Sequence, residues 1–464
     1  MPQTIAERLA QFSYDLSYED IPPEVVEKTK RLILDTVGVC IGSTRIDFGV
    51  AALRLASRWG GAPESTLIGR RMKVPAQHAA FCNGVLGHGQ DYDDTHTESV
   101  VHPSAALVPV ALAVAERAGR SGRETLAALA GGMEATIRVA MPALNRFHLR
   151  GFHTTSVAAT FGAALIAARL EGIGLARTVE AVGISGSFTS GLLECIPASA
   201  GAKRLHAGWA ALCGIVAAQL AEGGYTGPAT VFEGKLGVYN SFLRGEMLDL
   251  SVVLDGLGRE WEVLNVRPKL YPCCHYLQSF LDAAAALRRE HRVRAEEVAK
   301  ISCRVAAGAV NIVCEPWEKK VNPLTGYDAR FSLPFAVALM LAKGKAGVAE
   351  FSEQSFADPL MRRLMSRVSY QVDPEYQVKD MPGWIEVTLD NGAKHVREIP
   401  EVRGNARNPV ALEELLDKFY ANTEFRGRAA GSRIAEEILA MEKLPEVHGF
   451  MGRLCEPEAA ATAA

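Results

Sequence analysis

The string Gly87-His88-Gly89-Gln90-Asp91-Tyr92-Asp93-Asp94-Thr95-His96, continued by Val101-His102-Pro103-Ser104, brings carboxylates and imidazoles close together in the chain. Such groups can move protons near neutral pH, or they can hold a divalent cation. If the preceding helix runs on through the string, His88, Asp91 and Thr95 share one face at i, i+3 and i+7, while Asp93 and Asp94 point elsewhere. Asp91 is then the carboxylate expected to face inward. Taken alone, three aspartates fit a solvated turn at a helix end equally well. A metal centre ranks third, because the spacing matches no familiar ligand set.

His102 immediately precedes Pro103, whose preference for the first helical position puts the histidine at a helix N-terminus. The positive end of the helix dipole disfavours imidazolium, so a neutral, proton-accepting His102 is expected. The placement recurs. His153 in Arg150-Gly151-Phe152-His153 precedes a helix expected from about residue 156, and Lys203 lies in Gly201-Ala202-Lys203-Arg204-Leu205-His206 ahead of another. Lys269 and His275 stand in Arg267-Pro268-Lys269-Leu270-Tyr271-Pro272-Cys273-Cys274-His275 before a further helix start. Basic groups at the positive end of a helix run against the dipole preference, which suggests an anionic partner. Each residue alone reads as a capping or surface group. Gathered into one cavity from both domains, they would bind carboxylates tightly.

Weaker signals point away from other chemistries. The vicinal Cys273-Cys274 pair reads as buried packing rather than a nucleophile. Gly183-Ile184-Ser185-Gly186-Ser187 approaches a dinucleotide loop, but no strand is expected before it. No P-loop, H-E-x-x-H or G-x-S-x-G pattern is present.

The elements that must position these groups come in two kinds. Periodic apolar faces mark helices at 24–42, 75–89, 103–117, 123–140, 155–170 and 204–222, many rich in Ala and Gly. Pro22-Pro23, Pro103 and the capping box from Ser121 to Glu124 are start signals. After Trp261, β-rich stretches appear at 298–305, 369–372, 384–389 and 395–399, with Asp390-Asn391-Gly392 as a hairpin turn and helices at 275–290 and 328–343 between them. Helical periodicity returns at 409–421 and 430–442. The expected fold is mainly α with an α+β insertion: a large helical domain from 1–266 and 405–464, and a smaller α+β lid domain from 267–404. The tail EPEAAATAA after Cys455 is expected to be disordered.

Bulk composition narrows the partners. A length of 464 residues suits two folded units, and a net charge of −3 with 22% charged residues gives no broad attraction to nucleic acid or anionic membrane. The longest apolar run, 105–115, is too short to cross a bilayer, and the N-terminus carries no secretory or transit pattern, so a cytoplasmic protein is expected. Nine scattered cysteines, none in a C-x-x-C pair, suggest reduced thiols.

The strings DYDDTH with VHPS, RGFH, KRLH with AGWAA, RPKLYP, FSLPFAVA from Phe331 and GNARNP run in order through nearly the whole chain. By them the chain resembles the MmgE/PrpD family, which includes 2-methylcitrate dehydratase, cis-aconitate decarboxylase and iminodisuccinate epimerase. The resemblance implies a helical domain built from both chain ends, an inserted α+β lid and a homodimer. It implies active-site roles for Asp91, Thr95, His102, His153, Lys203 and Lys269. His275 is a further substrate contact, although Cys273-Cys274 occupy positions where members differ, and His206 of the KRLH string is another. The expected enzyme is a lyase on a small di- or tricarboxylate, without metal or cofactor. Lys203 and Lys269 would hold carboxylates, His102 assisted by Asp91 would move the proton, and His153 would be a second acid/base or anion contact. Dehydration ranks first by analogy with the family's namesake, ahead of decarboxylation and epimerisation. A metal-dependent helical lyase and a non-enzymatic scaffold are the competing classes.

Overall fold

Small side chains let the helices of this chain approach one another closely, and the computed structural model, which describes residues 3–198 and 200–455, is mainly α with a smaller α+β part. Two compact units divide it. One comprises the described residues up to Gly89, Asp93–Pro268 and from Val410 onward; the other comprises Gln90–Tyr92 and Lys269–Pro409. Each has its own apolar core. The tail expected to be disordered, and Ser199, lie outside the described residues.

The helical unit is built around Ala76–His88, Pro103–Ala118, Gly122–Ala140, Thr154–Glu171 and His206–Glu222, all mostly buried. Their N-termini follow the local chemistry: His102 caps a helix with Pro103 at its first position, and Ser121 with Glu124 forms a reciprocal capping box. Ala76–His88 crosses His206–Glu222 at a pair of glycines. A Cβ on Gly208 would lie 2.3 Å from the carbonyl oxygen of Phe81, and one on Gly84 would lie 2.8 Å from the Cα of Gly208. The crossing fixes where His88, at one helix end, and His206, at the other helix start, sit within the unit. Leu412–Thr423 and Arg428–Leu439 pack on Pro23–Ser43, with Phe419 against Gly38. Among the described residues, no single helix is long and apolar enough to cross a membrane.

The α+β unit carries a four-stranded sheet in the order Val368–Asp373, Val298–Ala306, Gly383–Leu389, Lys394–Ile399. The first two strands are parallel, with Ile301 opposite Val368, and their connection passes through several helices, as a parallel pairing requires. The last two are an antiparallel hairpin in which Thr388 faces Lys394 and Gly392 takes φ +85° at the turn. Gln278–His291 and Leu333–Lys343 complete this unit's core.

The structure corrects three expectations of local geometry. The helix Ala76–His88 stops at His88 and does not carry Asp91 and Thr95 on its face. Asp91 adopts φ +53°, and Thr95–His96 is a short strand paired with Val266–Arg267. The glycines flanking His88 and the aspartates beyond it compete poorly for helix, because aspartate side chains favour local turns. Asp93 and Asp94 do not point to solvent; both are buried. Lys269 is not at a helix start. Pro268 and Pro272 keep its loop extended, and regular helix begins only at Gln278.

Candidate active site

Five histidines gather inside the helical unit. The rings of His88 and His153 stack at 5.4 Å, His102 lies 5.8 Å from His153, His148 lies 5.6 Å from it, and His206 lies 5.1 Å from it. Four are delivered by element ends, and His148 lies within the short helix Arg146–Leu149: His88 closes a helix, His102 and His153 cap two others, and His206 opens a fourth.

Oxygen acceptors set the tautomers on one side of the group. His102 Nδ1 is 2.7 Å from the backbone carbonyl of Asp94 and 3.0 Å from Thr95 Oγ1. A carbonyl only accepts, so Nδ1 carries the proton, and in neutral His102 the lone pair sits on Nε2. Its backbone N–H donates to Thr155 Oγ1 at 3.0 Å. His88 Nδ1 meets Asp93 Oδ2 at 2.6 Å. Asp94 caps the helix that follows His102, accepting from the backbone N–H of Ser104 at 3.3 Å and from its hydroxyl. The carboxylate of DYDDTH and the serine of VHPS thus form one device. Burial pushes Asp94 up to about 7, and nearby Asp35 and Asp93 add to the effect. Asp35 is paired with Lys418 at 2.5 Å in the interior.

On the other side stands Lys203, buried in the short turn Gly201–Leu205. Burial, reinforced by the Lys203 ammonium, pushes His148 down to about 4 and His153 well below the ordinary imidazole range. Burial, with His88 and Lys203, lowers His206 to about 4. These three rings are neutral at pH 7. His96, by contrast, is structural: it bonds Ser99 and Glu262, and holds the Glu262 carboxyl down at about 2.

Within the α+β unit, Lys269 Nζ lies 3.3 Å from Asp91 Oδ2 and 3.0 Å from the Asp91 carbonyl, both residues being buried. Gln278 braces the loop that carries Lys269. Its Oε1 accepts from the N–H groups of Leu270 and Tyr271, and its Nε2 donates to the Tyr271 carbonyl at 2.9 Å. Arg330 donates to the Gln90 carbonyl, and Tyr92 donates to the Leu270 carbonyl at 2.9 Å. Cys273 is buried and its thiol is pushed up by desolvation, which leaves no thiolate for catalysis. His275, also buried, opens the turn His275–Leu277.

So the structure brings Thr95, His102, His153, Lys203 and His206 together in one unit, and Asp91 with Lys269 in the other. Among the described residues no group of three or more His, Cys, Asp and Glu side chains is arranged to hold a metal ion; the aspartates of the string are committed to His88, Ser104 and Lys269. From the sequence, His148 and Gln278 are not expected at the site, and Asp93 and Asp94 are expected to point away from the face that carries Asp91. A signal existed for His148 alone, five residues before His153 in Arg146-Phe147-His148-Leu149. Asp93, Asp94 and Gln278 act on partners close in sequence, His88, Ser104 and the backbone of Leu270 and Tyr271, through loops whose paths no periodic pattern gives.

The chain is 29% identical over 437 residues to the cis-aconitate decarboxylase of Homo sapiens, covering 91% of this chain and 88% of that protein. It is 22% identical over 467 residues to the cis-aconitate decarboxylase of Aspergillus terreus (strain NIH 2624 / FGSC A1156), covering 96% and 94%. Against the 2-methylcitrate dehydratase-like protein oryR of Aspergillus oryzae it is 21% identical over 451 residues, covering 90% and 88%. Residues 7–251 match the MmgE/PrpD N-terminal domain and residues 271–443 match the MmgE/PrpD C-terminal domain. With both domains matched in order over most of its length, the chain is a lyase that belongs to the MmgE/PrpD family.

Proposed function

We propose that this enzyme removes CO₂ from a tricarboxylic acid of the cis-aconitate type. The observation that carries the reading is the buried group of neutral imidazoles beside Lys203. Breaking the C–C bond to the departing carboxylate leaves an electron pair delocalised over the neighbouring double bond. A proton must then be added to the far carbon of that allylic system. An imidazole N–H supplies the proton, and an ammonium group beside the remaining carboxylates stabilises the charge in a water-poor site. Lys203 is assigned the ammonium role, and His102 and His153 the proton-handling roles. Thr95 and His275 are assigned as substrate contacts, and Asp91 and Lys269 as further proton-handling and carboxylate-holding groups. The names of the human and Aspergillus terreus relatives support decarboxylation over the other chemistries of the family.

Dehydration of 2-methylcitrate is the second reading, supported by the relative named for that activity. It would draw on the same groups, with the histidine abstracting a proton beside a carboxylate. The deciding assay offers purified protein cis-aconitate, 2-methylcitrate, citrate and iminodisuccinate in the presence of EDTA, with products identified by NMR. Decarboxylation of cis-aconitate at the highest kcat/KM is expected. Turnover of none of the four acids, with divalent metal restored or withheld, would remove the proposal. We also propose that the protein acts as a homodimer, which light scattering after gel filtration would report as twice the 49.9 kDa chain mass.

A further inference from the structure

His153 and His206 meet through like atoms. Their Nδ1 nitrogens are 3.1 Å apart, at the junction of the fully buried His153 and the slightly exposed His206. Two neutral imidazoles can make that contact only if one Nδ1 carries a proton and the other is bare. The ring that donates from Nδ1 has its lone pair on Nε2, and the ring that accepts has its proton on Nε2. The two Nε2 atoms are therefore opposite in character: one is an acid and the other a base.

The surroundings hold this arrangement in place. The His153 backbone N–H donates to the Gly191 carbonyl at 2.8 Å, and a Cβ on Gly191 would lie 3.5 Å from the His206 ring. One loop residue thus abuts both histidines. His153 is 0% exposed and its Nε2 has no hydrogen-bond partner among the described residues, whereas His206, 9% exposed, is the ring nearer solvent. The charged and titratable groups facing the pair are Lys203, His88, His102 and His148, and none of them is an anion that would favour an imidazolium.

We infer that His153 and His206 form a two-ring proton relay, in which His206 carries protons between water and the buried His153 without either ring holding a full charge. This rests on the proton-handling reading of the site given above. In the inward direction, His153 gives its Nε2 proton to the substrate carbon, the Nδ1 proton of His206 crosses to His153 Nδ1, and water returns a proton to His206 Nε2. Three N–H bonds or their equivalents break and three form, so both rings end neutral with their tautomers exchanged. Between turnovers, water in the emptied site gives a proton to His153 Nε2, the Nδ1 proton of His153 crosses back to His206 Nδ1, and His206 Nε2 returns its proton to water, which restores the starting state with both rings neutral. The low proton affinity of both rings favours this concerted passage over a charged intermediate.

His206 thereby becomes a relay residue acting through His153, instead of the substrate contact expected from the KRLH string. The test has two arms. In the first, the full-length protein labelled with ¹⁵N-histidine and free of substrate is examined by NMR. One protonated and one bare Nδ1 are expected, with a scalar coupling across the hydrogen bond that disappears in His206→Asn. Two bare or two protonated Nδ1 atoms would overturn the relay. This arm stands even if none of the four acids is a substrate, so failure of the proposed function and failure of the relay are told apart.

In the second arm, His206→Ala and His206→Asn are assayed on the acid that the wild type turns over. Asn can keep a hydrogen bond to His153 Nδ1, but it cannot pass a proton from one side of its group to the other. Both variants should lose kcat by about 100-fold or more while KM changes by less than about threefold, and added imidazole should restore His206→Ala by at least about tenfold. Wild-type kcat in His206→Asn would show that His206 only positions its neighbour. A loss confined to KM would make it a substrate contact. Either result sinks the relay.

Discussion

At the scale of single residues, the bond from His102 Nδ1 to a backbone carbonyl matters more than the helix dipole at which the residue sits. The dipole only biases protonation, whereas the carbonyl chooses which nitrogen is the base. His102→Gln is expected to lose kcat by about 10²- to 10⁴-fold with an unchanged circular dichroism spectrum. A loss below about threefold would take His102 out of the proton path. Buried titratable groups in the same unit should also write opposite signatures into stability against pH. His148 is depressed from the ordinary imidazole value to about 4, so the unfolded chain binds its proton more tightly. Its contribution is fully present above about pH 6.5 and is lost as pH falls towards 4. Asp94, raised to about 7, does the reverse: the folded state holds the proton, and stability is lost as pH rises from about 4 through 7. Denaturant titrations between pH 4.5 and 6.5 should show it. Relative to wild type, the slope of unfolding free energy should fall in His148→Gln and rise in Asp94→Asn, each by at most about 1.4 kcal/mol per pH unit. Equal slopes in all three proteins would mean that neither group titrates as described.

At the scale of elements, the histidines are placed by helix ends, and the ends are placed by close crossings. Gly208 is the sharpest case, because a methyl group there runs into the Phe81 backbone and not into a side chain that could turn away. Gly208→Ala should destabilise the protein by about 1–3 kcal/mol and lower activity with it, because parting the helices also shifts His88 and His206. Chemical denaturation alongside kcat checks both effects. In the α+β unit the equivalent device is a loop clamp. Gln278 satisfies three backbone groups of the proline-bounded loop that presents Lys269. Gln278→Ala leaves those groups unpaired, at roughly 1–3 kcal/mol for a buried group. It should raise KM for the carboxylate substrate; a variant with wild-type KM and stability would show that the loop holds itself.

At the scale of the whole molecule, the two units carry separate apolar cores, so unfolding need not be one cooperative event. Differential scanning calorimetry is expected to give a calorimetric enthalpy larger than the van't Hoff value, and equality of the two would show that the units unfold together. The charge distribution follows the same local logic. A chain with net charge −3 gathers a lysine and five imidazoles in one unit and a buried lysine with its aspartate in the other. Affinity for an anion is thus a property of sites and not of the surface as a whole.

What the amino-acid sequence determined by itself is what short-range chemistry decides. Apolar periodicity set the central helices to within a residue or two, Pro103 and the capping serine set their starts, and Asp-Asn-Gly set the hairpin. The motif strings also named His102, His153 and Lys203 as groups to watch. Tertiary structure decided the rest, because it depends on atoms far apart in the chain. Burial at Asp93 and Asp94 came from helices the string does not belong to, and the strand at Thr95–His96 came from pairing with Val266–Arg267. The contact of His153 with His206 spans 53 residues of sequence. A helix start tells which way a side chain leaves the backbone; only packing of one helix against another tells which side chain it will meet.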